Sequence, residues 1–455
     1  MSSLMTNLQQ ALPSVQPQLD AVRQAPTLPR MILLAWQVGL AIAVLIVQDL
    51  LQERGRAQGE PPTCPQCHTR LESKGLRPRQ VTTVLGIIRW KRRVFRCPHK
   101  CPIEQIAPLD TALGLAPYQE TSTELTTMAC ALAVFVPFDT AAILLKRLTG
   151  VVVSPVAIWN WVQAVGKQSM EHLARDLQSL ADGQSPDAEP LDAATAALPL
   201  VTGADGVMVP FRPTPGSPKG HTRWQEVKVA ILARLKLSTN RAGTSVTRLE
   251  RRRLVAVLGN IDALSPRLRL EALRQGLSTA TVIVWVSDGG RGLWRVLREC
   301  LPDQTVAILD FYHAAQNLWK AAQVWLDGRT VRARDWFKTV RHQLRHGETN
   351  AVLDELTTTL ALNALPAGAR HALQNVYDYL MTHRAHIDYQ KFKELGLPLG
   401  SGMVESACKW LIQQRFKGVG MRWSEDGFNH LLHLRLAWVN NRFDALFLPA
   451  ASPNG

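Results

Sequence analysis

Two stretches of this chain release an acid at the end of an apolar run. VIVWVSDGGRGLW places Asp288 just after Val282–Ser287 and before Gly289 and Gly290, and VAILDFYHAAQNLW places Asp310 after Val306–Leu309, three residues before His313. Continuous β-branched and aliphatic runs of this length read as buried strands of a parallel sheet. Ligands and metals collect beyond the carboxyl ends of such strands. A lone strand-end aspartate more often just caps the next helix; two in succession, one with a histidine at short range, point to chemistry. Two further acids complete the candidate set: Asp205, after the run Leu198–Ala204, and Glu405, in a helix that follows Gly400-Ser401-Gly402. If Asp205, Asp288 and Glu405 meet, they must share protons or bind hard cations. Two Mg²⁺ (or Mn²⁺) ions about 4 Å apart would suit in-line phosphoryl transfer, one activating the attacking oxygen and one stabilising the leaving oxygen.

A second group has metal-ligand spacing. CPQC holds Cys64 and Cys67, CPHKC holds Cys97 and Cys101, and VTTVLGIIRWKRRVFR between them alternates like strand, turn and strand around Gly86. Four thiolates on two proline-containing knuckles of a hairpin are the ligand set of a closed, structural Zn²⁺ site. Four sulfurs satisfy the ion, so His68 and His99 are not needed. Cys130, Cys300 and Cys408 sit among apolar neighbours and read as core. The ribbon also carries ten Lys or Arg between Cys64 and Cys101 against one acid, Glu72. Arg92 and Arg93 are the expected phosphate contacts there.

The elements that must position these residues follow from the rest of the chain. Its 455 residues allow about three domains. A net charge of +15 points to a polyanionic partner, nucleic acid before membrane. No secretory signal opens the chain. The apolar run Met31–Val47, broken by Gln37, falls short of the about 20 residues of a spanning helix. It reads as a soluble core helix, and the expected compartment is the cytoplasm, with no membrane partner. Residues 1–28, rich in Gln, Pro and Ser, read as a loosely ordered lead-in. Asp139–Leu148, a glycine-containing turn, and a helix opened by Ser154-Pro155 have the outline of a helix-turn-helix.

After a linker over 182–197, Leu198–Ala204 and Val207–Phe211 read as a tight hairpin turning at Gly206. A strand over Glu226–Leu235, an Arg-dense loop, a further strand near Val255–Leu258 and a helix near 263–276 come next. Three antiparallel strands, then helix, strand, helix, strand is the order of a ribonuclease-H-like core. In that order the first and fourth strands are neighbours, so Asp205 and Asp288 converge, and a helix packed across the same sheet end adds Glu405. Residues 318–392 are helical throughout.

At these residues the chain resembles a known family. ADGVMVPFR, VSDGGRGLW, LDFYHAAQNLW and GSGMVESACKWLIQQRFKGVGMRWS are similar to segments of the Kra-type group of bacterial insertion-sequence transposases, related to the mutator-like enzymes. The resemblance implies that Asp205, Asp288 and Glu405 are a DDE triad, that Asp310 and His313 support it, and that the helical block is an insertion domain. It further implies cleavage and strand transfer of double-stranded DNA at the element's terminal inverted repeats, into target DNA, by a protein expected to be a homodimer. Lys409, Arg415, Lys417 and Arg422 would then contact DNA backbone near the site, with Trp423 stacking on a base or filling the core.

The expected architecture is a multidomain α+β chain. It comprises an N-terminal helical segment (1–60), a zinc ribbon (61–110), a helical DNA-binding region (111–182), a linker (183–197), a ribonuclease-H-like catalytic domain (198–317 and 396–445) and a helical insertion (318–395). Two other readings fit the same residues: a zinc-dependent DNA-binding regulator whose acids are structural, and a metal-dependent nuclease without strand transfer.

Overall fold

Helices α1 (Ser2–Arg23) and α2 (Leu28–Arg56) open the chain. The computed structural model describes residues 2–57, 60–103, 105–216, 218, 220–241, 243 and 245–448. Helix α1 replaces the expected loose lead-in even though Pro13 and Pro17 lie inside it. It packs along α2, and such tertiary contact overrides local propensity. Helix α2 is not the core helix expected. It is long and apolar enough to cross a membrane, with mean hydropathy 2.2 over a window that is only 6% buried. Leu28, Ile32, Leu33 and Trp36 are exposed. The reason is geometric: α1 and a two-stranded ribbon cannot surround a 29-residue helix.

That ribbon pairs β1 (Glu72–Thr83) with β2 (Gly86–Arg96), antiparallel, with Val81 opposite Ile88 and Gly86 turning at a φ of 129°. Gln48 and Gln52 of α2 accept hydrogen bonds from the N–H groups of Arg89 and Lys91, both at 2.9 Å. Val47 and Leu51 cover Val81, Ile88 and Trp90. Helices α3 (Pro108–Ala112), α4 (Thr123–Phe135) and α5 (Phe138–Thr149) follow. Gly150 ends α5 in the left-handed region, φ 78°, and Ser154 Oγ accepts from Ala157 N–H at 3.1 Å to start α6 (Pro155–Ala181). Helix, glycine turn and helix therefore fall where the sequence placed them. Met1–Val165 with Asp444–Gly455 form one compact unit and Gly166–Phe443 another.

The second unit takes in the later part of α6 and the short α7 (Ala193–Ala196), and is built on a five-stranded mixed sheet. Its strands are β3 (Leu200–Phe211), β4 (Arg223–Thr239), β5 (Ser245–Leu258), β6 (Ile283–Ser287) and β7 (Val306–Leu309), in the order β5-β4-β3-β6-β7. The first three are antiparallel; β3–β6 and β6–β7 are parallel. The expected hairpin at Gly206 does not exist. Strand β3 runs straight through it because β4 pairs with its whole length, from Leu200↔Arg234 to Phe211↔Arg223. The Arg-dense loop is likewise largely strand, since Arg248 and Arg253 pair with Lys236 and Leu232.

Helices α8 (Ile261–Arg274) and α9 (Arg291–Cys300) cover one face, where Leu264, Leu268 and Val296 meet Leu200, Ala204 and Trp285. The other face, with Val201, Val284 and Val286, packs on Phe311 and Leu318 of α10 (Phe311–Leu326). The same core continues into α11 (Val331–Arg345), α12 (Thr349–Leu360), α13 (Ala367–Thr382) and α14 (Tyr389–Glu394). Helix α15 (Gly402–Ala407), a π-helical turn (Cys408–Gln413), α16 (Gln414–Phe416) and α17 (Glu425–Val439) complete the unit.

The expected linker is tied down. Glu189 accepts hydrogen bonds from Arg253, Arg442 and Gln275, and Arg442 also pairs with Glu271 at 2.8 Å. Burial alone would raise the Glu189 pKa, but the hydrogen bonds from Arg253, Gln275 and Arg442 outweigh it and hold the carboxyl down at about 2. A folded pKa below the unfolded one stabilises the protein above the unfolded value, and that stability is lost as pH falls through the folded value. Glu189→Gln is therefore expected to cost about 3 kcal/mol at pH 7. Urea unfolding should show that cost shrinking between about pH 4 and pH 2; a cost independent of pH would contradict the charge network.

Candidate active site and metal centre

Register brings the acids together. Thr202 of β3 is level with Trp285 of β6, so Asp205 and Asp288, each three residues further on, stand at the same height. Ser287 is level with Leu309 of β7, which puts Asp310 beside Asp288. The approach of β3 to β6 depends on Gly203: a Cβ there would lie 2.2 Å from Val286 O and 3.0 Å from Val404 Cγ2. The same glycine admits α15, which carries Glu405. Asp205 belongs to the face of β3 that holds Val201, the face covered by α10.

The electrostatics record this convergence. Burial raises the pKa of Asp205, the Gly206 N–H opposes it, and the charges of Asp288 and Glu405 raise it further, while His313 works the other way. Asp205 Oδ1 accepts from Gly206 N–H at 2.6 Å, and Asp288 Oδ1 from Gly290 N–H at 2.9 Å. Glu405 is exposed, with Lys409 Nζ at 4.0 Å. The carboxylates share a site without closing on one point. Among the described residues, the only group of three or more potential ligands lying mutually within 4.8 Å is the four-cysteine set.

Asp310 behaves differently. It is buried and accepts hydrogen bonds from the N–H groups of Tyr312 (2.6 Å) and His313 (3.1 Å), capping α10. It also accepts from Ser401 N–H at 2.6 Å and from Ser401 Oγ. Burial would raise its pKa, but His313 and Ser401 bring it down to about 2. All four bonds hold protein groups, so Asp310 fastens the segment leading to Glu405 onto the end of β7. His313 Nδ1 lies 3.4 Å from Asp310 Oδ2. The His313 pKa is raised by Asp310 first, against burial, and then by Asp288 and Asp205. An imidazole whose protonated form the acids favour thus borders the carboxylates.

Two positioning residues were not legible in sequence. Tyr379 of α13 fills the space beside Gly289, where a Cβ would come within 2.1 Å of its ring, and the Gly289 backbone lies near enough to lower the Tyr379 pKa and raise that of His383, each against burial. The helical block thereby grips the turn that carries Asp288. Their i, i+4 spacing on an amphipathic helix was the available signal, but it does not say what the face meets.

At the ribbon's base, Cys64 N–H donates to Thr69 O and His68 N–H to Cys64 O, with His68 at φ 56° and Lys100 at φ 54° shaping the two knuckles. Cys67 and Cys97 sulfurs are 3.5 Å apart, near the about 3.8 Å edge of a tetrahedron with 2.3 Å Zn–S bonds. Cys67 is lowered to about 5, chiefly by hydrogen bonds from Thr69, and Cys101 is pushed up to about 12 by its hydrogen bonds with Cys67 and Cys97. Four crowded sulfurs cannot all ionise without a cation, so the donor set fits Zn²⁺. His68 and His99 stay outside the group.

The expected DNA contacts divide. Lys409, Lys417 and Arg422 are exposed; Lys417 lies 5.5 Å over the Trp224 ring and Arg422 donates to Gly220 O at 3.2 Å. Arg415 is instead buried, 5.4 Å over the Trp423 ring, and burial lowers its pKa to about 10. Trp423 donates from Nε1 to Phe416 O, packs on Phe416 and Phe428, and bonds through its backbone to Pro210 and Arg212 at the end of β3. Both are engaged in packing within the unit. Arg92 is also occupied, by Asp110 at 3.0 Å and by the carbonyls of Arg77 and Pro78. Arg93 is half-buried and donates to Ser73 Oγ.

Two measurements test this geometry. Gly289→Ala should cost about 1–3 kcal/mol in thermal unfolding, and the cost should shrink in a Tyr379→Ala background, since the clash is between those two residues. Elemental analysis should find about one Zn per chain, with Cys97→Ser abolishing it; full metal content in that variant would refute the ligand set.

No family model matches this chain, and no curated protein matches it. Among solved structures it is similar to a chain described as "Drosophila P element transposase strand transfer complex", at 12% identity and a TM-score of 0.34, over 73% of this chain and 95% of that one. At that TM-score the likeness carries no argument.

Proposed function

We propose that this protein is a DNA transposase of the bacterial insertion-sequence type. In this reading Asp205, Asp288 and Glu405 form a metal-binding DDE triad that cleaves DNA at element ends and joins it to target DNA. The observation that carries the reading is the common height of Asp205 and Asp288 on neighbouring strands, with Glu405 delivered to the same face by a later helix. The strand order β5-β4-β3-β6-β7, antiparallel then parallel, supports a ribonuclease-H-like core. The similarity of four sequence segments to Kra-type transposases supports the choice among enzymes built that way. The domain plan belongs to the proposal too: residues 61–110 as a zinc ribbon, 111–182 as a DNA-binding region, and 318–395 as an insertion within the catalytic domain.

Asp205, Asp288 and Glu405 would hold two Mg²⁺ or Mn²⁺ ions. Bound there, the ions would activate the attacking water or 3′-hydroxyl and stabilise the leaving oxygen. The chain's own groups do the rest. Gly203 and the Asp310–Ser401 link keep the three carboxylates in register. Tyr379 and His383 hold the Asp288 turn. His313, held beside Asp310 at 3.4 Å, would support the scissile phosphate. The structural Zn²⁺ of the ribbon, the exposed Lys409, Lys417 and Arg422, and the net charge of +15 suit double-stranded DNA as partner. Pairing two element ends calls for a homodimer, and the working compartment would be the cytoplasm.

The test is an in vitro reaction with Mg²⁺ and labelled element-end DNA. Asp288→Ala and Glu405→Ala should each lower cleavage and joining about 10³-fold or more, whereas His313→Ala should lower them without abolishing them. Cleavage that survives both acid substitutions would refute the triad. Cleavage without joined product would make the protein a nuclease.

A further inference from the structure

Beside the acids, a pocket lined by Asp310, Tyr312, Gly402, Met403 and Glu405 continues, past Leu249, Gly402 and Met403, into a larger groove of about 1010 Å³. The groove lies between β5 and the segment Gly402–Trp410. At that volume it sits at the top of the range of small-molecule pockets, about 300–1,000 Å³. No acid lines it, whereas Arg251, Arg252 and Arg253 do. Charge here is unbalanced. Arg253, Arg251 and Arg442 share the carboxylates Glu189 and Glu271, while Arg252 is exposed and has no side-chain ion pair among the described residues.

The backbone is built to present it. Leu232 pairs with Arg253 but Arg234 pairs with Glu250, so Arg251 and Arg252 together oppose Ala233 in a bulge. Arg251 adopts φ 50° to make it. A non-glycine residue held there is strained, and bulges of this kind re-aim side chains beside functional sites. In a regular strand Arg251 and Arg252 would point to opposite faces; both are exposed and both line the groove. Across from them Trp410, 38% exposed, is braced by the Arg435 guanidinium 5.1 Å from its ring.

We propose that this groove binds an unpaired DNA strand running from the acidic site, with Arg252 gripping a phosphate and Trp410 stacking on a base. A phosphodiester held at the carboxylates would leave along a surface free of acids, and this groove shares Leu249, Gly402 and Met403 with the pocket beside Asp310 and Glu405. A cation without an ion pair and an exposed aromatic ring lining one groove are the combination that single strands use, backbone charge and base face being read together without sequence. The inference deepens the transposase reading and rests on it for the origin of the strand.

The experiment measures binding of the full-length protein to fluorescent duplexes with and without a single-stranded extension. The wild type should prefer the extended DNA. Arg252→Glu and Trp410→Leu should each weaken binding of the extended DNA about tenfold while leaving the blunt duplex within about twofold. Arg252→Glu should also flatten the salt dependence on the extended DNA by about 0.7 in the log–log slope. Arg252→Lys and Trp410→Phe, which keep charge and ring, should retain the preference and so separate binding from misfolding. Equal losses on both DNAs, or none, would overturn the groove. Cleavage by the Asp288→Ala protein reports separately on the transposase reading: activity there would overturn that reading while a groove-dependent tail preference could stand.

Discussion

The second unit depends on β3 lying against β6 with almost nothing between them. Parallel strands of unequal length and separate chain origin can only bring their acids level if the backbones approach closely where the acids project. Gly203 makes that approach, with Val286 O on one side and Val404 on the other. A side chain at this one position would push apart β3, β6 and α15, and those three elements carry Asp205, Asp288 and Glu405. The site is therefore a consequence of close backbone packing two residues before it on each strand.

Around that junction, chemically similar aspartates take different work because their surroundings differ. Asp310 has every nearby donor turned toward it, so its charge is consumed in joining β7, α10 and the Ser401 turn. Asp205 and Asp288 each accept one backbone N–H from a glycine close in sequence, Gly206 and Gly290, and keep the rest of their oxygen lone pairs for other partners. Asp205 feels the charge of the other two acids, and its raised pKa marks a carboxylate that a cation would relieve. Asp310 raises the pKa of His313 against burial, so each favours the charged form of the other beside the acids.

The basic residues teach a complementary lesson. Composition counts them alike, yet Arg92 cross-braces the ribbon, Arg234 ties together the carbonyls of Ala196, Leu198, Gln275 and Gly276, and Arg253 and Arg442 neutralise Glu189 and Glu271. Arg415 and Arg435 are buried among aromatic rings. The Arg234 and Arg435 guanidiniums persist in burial because their planar donors reach several carbonyls at once. The charge left for a polyanion is carried by the exposed residues, among them Arg252, Lys409 and Lys417.

Much of this was written in local pattern. The four-cysteine ribbon, the glycine-ended α5, the Ser154 cap of α6, strands β6 and β7 with their terminal aspartates, and the helix bearing Glu405 all follow from spacing, caps and apolar runs, which are short-range properties. Local pattern failed where a neighbour decides. The Asp205-Gly206 pair looks like a turn until β4 pairs across it, α1 looks disordered until α2 lies along it, and α2 looks like a core helix until the ribbon proves too small to enclose it. The residue types alone determined which groups could bind metals and phosphates. Only the tertiary structure decided which of them meet, because register between strands, the tyrosine beside Gly289 and the bulge that turns out Arg252 arise from contacts between segments far apart in the chain.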